Sequence, residues 1–211
     1  MSEFSLELSE EQEQLRDWVH QFSVDVVQAS AAEWDEREEF PYPIVQQAAE
    51  IGLYSWEFLA QGMLGDKTGL TMPVAIEELF WGDAGIGMAI MGSALAGAGI
   101  AASGTQEQVM EWVPQCYGDA TDLKLGAFCA SEPDAGSDVG GYRSRAVYDE
   151  ATDEWVLNGT KAWITNGSVA DVAVVWAKCE DETVRGFLVE KGTPGLEAKD
   201  YHNKHSLRAS W

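Results

Sequence analysis

The chain has 211 residues, 45% of them hydrophobic, enough for one large core or two small ones and too much for a disordered chain. Its 36 acidic against 13 basic residues give a formal net charge of -23, which repels phosphate backbones and argues against a nucleic-acid partner. Cys116, Cys129 and Cys179 are odd in number and far apart, and His20, His202 and His205 lack ligand spacing, so neither a disulfide framework nor a metal centre is indicated and a reducing, cytoplasmic setting is expected.

Residues 1 to 14 are polar and acidic, without the basic and apolar regions of a secretion signal. Ser9-Glu10-Glu11-Gln12 reads as a capping box, and Leu15, Trp18, Val19, Phe22 and Val26 follow at helical spacing. Pro43 opens a second helix through Ile44, Val45, Ala48, Ala49 and Ile51 to a stop at Gly52. Thr71 and Pro73 open a third through Val74, Ile76, Leu79 and Phe80 to an end near Gly82, and Thr105 with Gln108 caps another, ahead of Pro114. Between these, Gly85 to Gly104 carries no charge and is long enough to raise the question of a membrane span. Its Gly and Ala content and the absence of an aromatic belt or basic flank favour a buried helix closely approached by its neighbours, and no membrane partner is expected.

Gly97-Ala98-Gly99-Ile100-Ala101-Ala102 satisfies a dinucleotide-binding pattern, with Asp119 about twenty residues on. That site needs a β-strand leading into the first glycine, whereas Met91 to Ala96 are small and helix-like, so the packing explanation prevails. A nicotinamide-dependent reductase using this segment would bind NADH and hold no yellow chromophore.

From about Leu123 the period changes to short β-rich runs, and Asn158-Gly159 and Asn166-Gly167 are strong hairpin signals. The expected strands are Trp155 to Leu157, Lys161 to Ile164, Val172 to Trp176 and Val184 to Val189. Helices followed by antiparallel strands give an α+β fold in two domains, residues 1–120 helical and 121–211 β, joined near 115 to 125.

Two segments carry chemistry. Cys129-Ala130-Ser131-Glu132-Pro133-Asp134-Ala135-Gly136-Ser137-Asp138 is a tight loop whose backbone N–H groups and small hydroxyls can approach an anionic or carbonyl-rich ligand. In Asn158-Gly159-Thr160-Lys161-Ala162-Trp163-Ile164-Thr165-Asn166-Gly167, Trp163 and Thr165 lie two apart, so in a strand an indole and a hydroxyl would confront the same ligand, as a flavin ring requires. Taken singly, Ser131 to Asp134 is an ordinary turn composition and Trp163 an ordinary core residue; Glu132 and Asp138 read as turn caps. What lifts both above these ordinary readings is the family resemblance that their joint occurrence carries.

These two motifs resemble those of the acyl-CoA dehydrogenase family. Ile76-Glu77-Glu78-Leu79 before Gly82-Asp83-Ala84-Gly85, and Arg185-Gly186-Phe187-Leu188-Val189 before Lys204-His205-Ser206-Leu207-Arg208-Ala209-Ser210, fall in the same family order. The resemblance implies a helical domain and a β-barrel, incomplete at the C-terminus, in about the first half of a usual member. It implies FAD, an acyl-CoA substrate, hydride transfer from the β-carbon to the flavin and proton loss from the α-carbon to a glutamate. By matching position, Phe128, Ala130, Ser131, Gly136, Ser137, Trp163, Ile164 and Thr165 would surround the flavin, with Ser137 nearest the acyl-CoA. Trp163 would pack on the ring and Thr165 would offer its hydroxyl to N5. The glutamate base, part of the FAD surface and most of the oligomer contact would belong to a C-terminal helical bundle, so no catalytic base is named within residues 1 to 211. An electron-transfer flavoprotein would be the acceptor and a homo-oligomer the assembled form. A non-catalytic flavin- or acyl-CoA-binding subunit that pairs with full-length relatives is the alternative. Members acting on glutaryl-CoA carry an Arg where this chain has Gly87, so a simple or branched acyl chain is expected over a dicarboxylic one.

Overall fold

The computed structural model describes residues 5–211; the expectation about residues 1 to 14 falls in part on residues 1–4, which lie outside the described residues. The chain forms two compact units. One holds the residues through Met91 together with Asp119–Leu123 and Tyr201–Ser210; the other holds Gly92–Gly118, Lys124–Asp200 and Trp211.

In the first unit, helix α1 (Glu10–Phe22) starts at Ser9, whose side chain accepts from the Gln12 amide while Gln12 Oε1 accepts from the Ser9 amide at 3.0 Å. This satisfies two N–H groups that the helix itself leaves unpaired. Gln12 also donates through Nε2 to Thr68 Oγ1 at 2.8 Å, which accounts for a buried glutamine on an otherwise apolar face. The helix does not stop at Val26 but passes through a wide π-type turn (Ser23–Gln28) into α2 (Ala29–Arg37), burying Val27 and Trp34. Then come α3 (Tyr42–Glu50), halted before Gly52 with φ +83°, and α4 (Trp56–Ala60), a short helix capped by Ser55 that sequence periodicity does not reveal. α5 (Thr71–Gly82) and α6 (Ala84–Met91) complete the unit, with Leu79, Ile86 and Ile90 buried. Residues 201–210 return to this unit, where Arg208 Nη2 donates to Glu38 Oε1 at 2.6 Å.

The apolar stretch is helical through Ala84–Ser103, with one turn residue at Gly92 between α6 and α7 (Ser93–Ser103). Among the described residues it is the one helix long and apolar enough to cross a membrane, and 56% of its most apolar window is buried inside this structure. Its small residues serve packing: a Cβ on Gly87 would stand 2.8 Å from Phe80 Cδ2, and one on Gly99 would stand 2.9 Å from Phe128 Cε2. Gly97 to Ala102 lie inside α7 with no strand leading into them, so the tight strand-to-helix turn of a dinucleotide site is not formed.

The second unit contains α7, α8 (Gln106–Trp112, capped by the expected Thr105 and Gln108 pair) and a five-stranded sheet. The strands are β1 (Gly126–Cys129), β2 (Arg145–Asp149), β3 (Glu154–Asn158), β4 (Val172–Lys178) and β5 (Val184–Glu190). The sheet is mixed and not closed, a correction to the antiparallel expectation: β1 runs parallel to β4, with Gly126 opposite Val172 and Cys129 opposite Val175. The long connection between them, which includes the β2–β3 hairpin, gives the chain room to return in the same direction, as a parallel pair requires. β2–β3 and β4–β5 are antiparallel. The hairpin turns fall at 150–153 and 179–183, not at the two Asn-Gly pairs; Asn158 instead ends β3, and Asn166, buried with φ +63°, sits in an irregular turn.

Candidate functional site

β1 leads into the loop that the sequence singles out. After Cys129 the chain makes a turn closed by Glu132 N–H to Ala135 O at 2.9 Å and Ala135 N–H to Glu132 O at 3.2 Å, with Pro133 and Asp134 at its corner. Proline presets the φ that the second position of such a turn needs. Gly136 and Ser137 follow on an exposed bend, and a Cβ on Gly136 would meet nothing within 4 Å.

The segment expected as a strand at Lys161 to Ile164 is not one. It runs irregularly from β3 into the turn at Thr165 to Val169, and Trp163 has φ +62°. Alternation of side chains across a strand therefore does not govern Trp163 and Thr165. The left-handed backbone at Trp163 is costly for a residue with a Cβ, yet its indole is 71% exposed. Ile164 beside it turns inward, packing against Ala127, Cys129 and Ala173.

One buried ion pair joins the two segments. Lys161 Nζ donates to Glu132 Oε1 at 2.8 Å and to Ala130 O at 2.9 Å, with side-chain exposures of 11% and 5% for Lys161 and Glu132. The ammonium also lies 4.1 Å from the centre of the Tyr142 ring, a cation–π contact in a desolvated place. The Glu132 carboxylate accepts from the Arg143 amide at 2.7 Å and the Ser144 amide at 3.1 Å. The Ala162 amide donates to Ser131 O at 2.9 Å. Burial by itself would raise the Glu132 carboxyl, but hydrogen bonds from Lys161, Ser144 and Arg143 outweigh it and hold the group at about 2. Glu132 is thus more than the turn cap that its sequence position suggests: it gathers residues 130–132, 142–144 and 161–162 around one charge pair.

The structure brings Ala130 and Ser131 to the Lys161–Ala162 segment, next to Trp163. Phe128 and Ile164 direct their side chains into packing: the Phe128 ring lies against Gly99 of α7 and 5.6 Å from the Trp176 ring. Gly136 and Ser137 lie on their bend, and among the described residues no hydrogen bond joins Ser137 to residues 161–165. Thr165 is half-buried at the start of its turn. Sequence reasoning missed Lys161 and Tyr142; the signal available for the first was a lone basic residue inside a small and apolar run. Cys129, beside the loop, is pushed up by burial to about 11, which makes it a packing residue and not a nucleophile.

The chain is similar to known proteins over nearly its whole length. The family model for the acyl-CoA dehydrogenase N-terminal domain matches residues 9–118, and that for the acyl-CoA dehydrogenase middle domain matches residues 127–211. The mitochondrial short-chain specific acyl-CoA dehydrogenase of Bos taurus is 35% identical over 213 residues, covering 98% of this chain and 50% of that protein. The crystal structure of glutaryl-CoA dehydrogenase from Mycobacterium smegmatis superposes with a TM-score of 0.84 at 40% identity, covering 96% of this chain and 51% of that one. A glutaryl-CoA dehydrogenase from the same organism in complex with FADH2 gives 0.82 at 34% identity, again over 96% and 51%. The chain spans about half the length of the relatives it matches. With both domain models matched in order over nearly the whole chain, the chain belongs to the acyl-CoA dehydrogenase family.

Proposed function

We propose that this chain carries the flavin-loop side of a site for α,β-dehydrogenation of an acyl-CoA thioester with FAD. The observation that supports it most is the Lys161–Glu132 clamp, which holds the Ala130–Ser131 backbone beside an exposed indole on a strained backbone. The residues present fit a flavin. Trp163 offers a planar face, Gly136 leaves open space where a side chain would stand, and Ser131, Ser137 and Thr165 supply small hydroxyls. When bound, FAD supplies the hydride acceptor.

Trp163 would pack against the ring system, and Thr165 would offer its hydroxyl where negative charge grows on the hydride acceptor, a donor that favours the transition state over the ground state. The 136–138 bend holds the acyl-CoA, with Ser137 as the contact. A molecule of net charge -23 opposes an anionic thioester at long range, so backbone N–H groups of this bend do the local work of attraction. No proton acceptor is assigned among residues 5–211. The acyl group is simple or branched: Gly87 supplies no guanidinium to pair with a distal carboxylate, and a Cβ there would stand 2.8 Å from Phe80 Cδ2. An electron-transfer flavoprotein is the acceptor and the working form a homo-oligomer.

The test is an absorbance spectrum of the purified chain, desalted after incubation with FAD. Retained yellow absorbance is expected, with its loss in Trp163→Ala; a chain that retains none, or that binds NADH instead, overturns the reading.

A further inference from the structure

We propose that Lys161 and Glu132 are positioning residues of the flavin site, setting the backbone of Ala130–Ser131 and of Ala162–Trp163 as one unit; this rests on the flavin reading above. Both side chains are largely buried, with exposures of 11% and 5%, and the hydrogen bonds each makes are to neighbouring backbone and to one another. Beyond the pair itself, their hydrogen bonds run inward to backbone: Lys161 to Ala130 O, Glu132 from the Arg143 and Ser144 amides. The only direct backbone bridge between the two motifs among the described residues, Ala162 N–H to Ser131 O, joins the sequence neighbours of Lys161 and Glu132. One residue further on, the chain enters the left-handed conformation at Trp163. A strained backbone persists only where its surroundings over-determine it, and the clamp fixes the two residues that lead into this one. Without it the Ala162 bond is the one remaining backbone link between the two motifs among the described residues, and the chain entering Trp163 is held less firmly.

The test compares the whole chain with Lys161→Met/Glu132→Gln, a pair of changes that removes both charges together and leaves no buried ion unpaired. Backbone amide hydrogen exchange is read residue by residue, alongside FAD titration followed by flavin fluorescence. Exchange at Ala162 and Trp163 is expected to quicken by about tenfold or more while the buried amides of β4 hold their rates, and FAD binding to weaken by about tenfold. Should the double variant not fold, Lys161→Met alone is compared by the same exchange measurement. Equal acceleration across β4 makes the pair an ordinary stabiliser, and no acceleration at Ala162 makes it idle; either overturns the proposal. A wild-type chain that does not bind FAD overturns the flavin reading, while the exchange pattern still decides whether the pair fixes this backbone.

Discussion

Trp163 combines two features seldom found together, a left-handed backbone (φ +62°) and an indole 71% exposed. The first costs about 1 to 2 kcal/mol for a residue with a Cβ, and the second means that little apolar burial compensates it. Trp163→Gly is therefore expected to leave stability within about 1 kcal/mol of the parent in urea melts, since the relieved strain offsets the added freedom of the unfolded chain. The same variant is expected to lose retained FAD. Glu132 makes a different prediction. Its carboxyl sits at about 2 in the folded chain against an ordinary value of 4.5, so its stabilising contribution is fully present above 4.5 and disappears as pH falls from there through about 2. Up to about 3 kcal/mol is at stake over that window. Denaturant melts at descending pH should show this loss in the parent, and Glu132→Gln should show a shallower acid dependence from a lower starting stability. A variant with the parent's full acid slope would assign the loss to other carboxylates.

At the scale of the elements, helices are legible where capping chemistry and periodicity agree. Ser9 with Gln12 and Thr105 with Gln108 both form the reciprocal bonds that their spacing implies. The continuation of α1 into α2 is not legible, because the π-type turn at Ser23–Gln28 breaks the 3.6-residue period while the chain remains helical. β1, only four residues long, carries no alternation to read, and its parallel pairing with β4 depends on a connection that no local signal records. Lys161 to Ile164 has strand-like composition, but its backbone is decided by a tertiary contact, the buried pair with Glu132, and sequence distance hides such a contact. Within α7, Gly99 is a packing glycine: Gly99→Val should destabilise by about 1 to 3 kcal/mol, because the Phe128 ring stands where the new side chain must go. Leu95→Ala on the same helix, at a side chain 57% exposed, serves as the neutral control in the same urea melts.

Across the whole molecule, the acidic surplus acts on every element at once. With 36 acidic and 13 basic residues, every compact state suffers self-repulsion that mobile ions can screen. The melting temperature should rise between about 20 mM and about 0.5 M sodium chloride, over which the screening length falls from about 20 Å to under 5 Å. A flat or falling profile would mean that the paired charges, such as Arg37 with Glu33 and Arg185 with Asp181, outweigh the surplus. The open sheet adds a second collective property. β3 pairs only with β2 among the described residues, and it carries Trp155 and Val156 at 41% and 44% exposure, an edge on which another strand could add. The like charge on every copy works against that association at low ionic strength, so the salt that steadies each chain also lets the chains meet.

Several of the nine tryptophans are exposed, Trp163 at 71% and Trp81 at 52% most of all, and on so acidic a molecule they make the chain its own optical reporter. Iodide, an anion, is held away by the surrounding field, whereas uncharged acrylamide reaches the exposed rings by diffusion alone. Collisional quenching of tryptophan emission should therefore be strong with acrylamide and weak with iodide, and the difference should shrink as ionic strength rises.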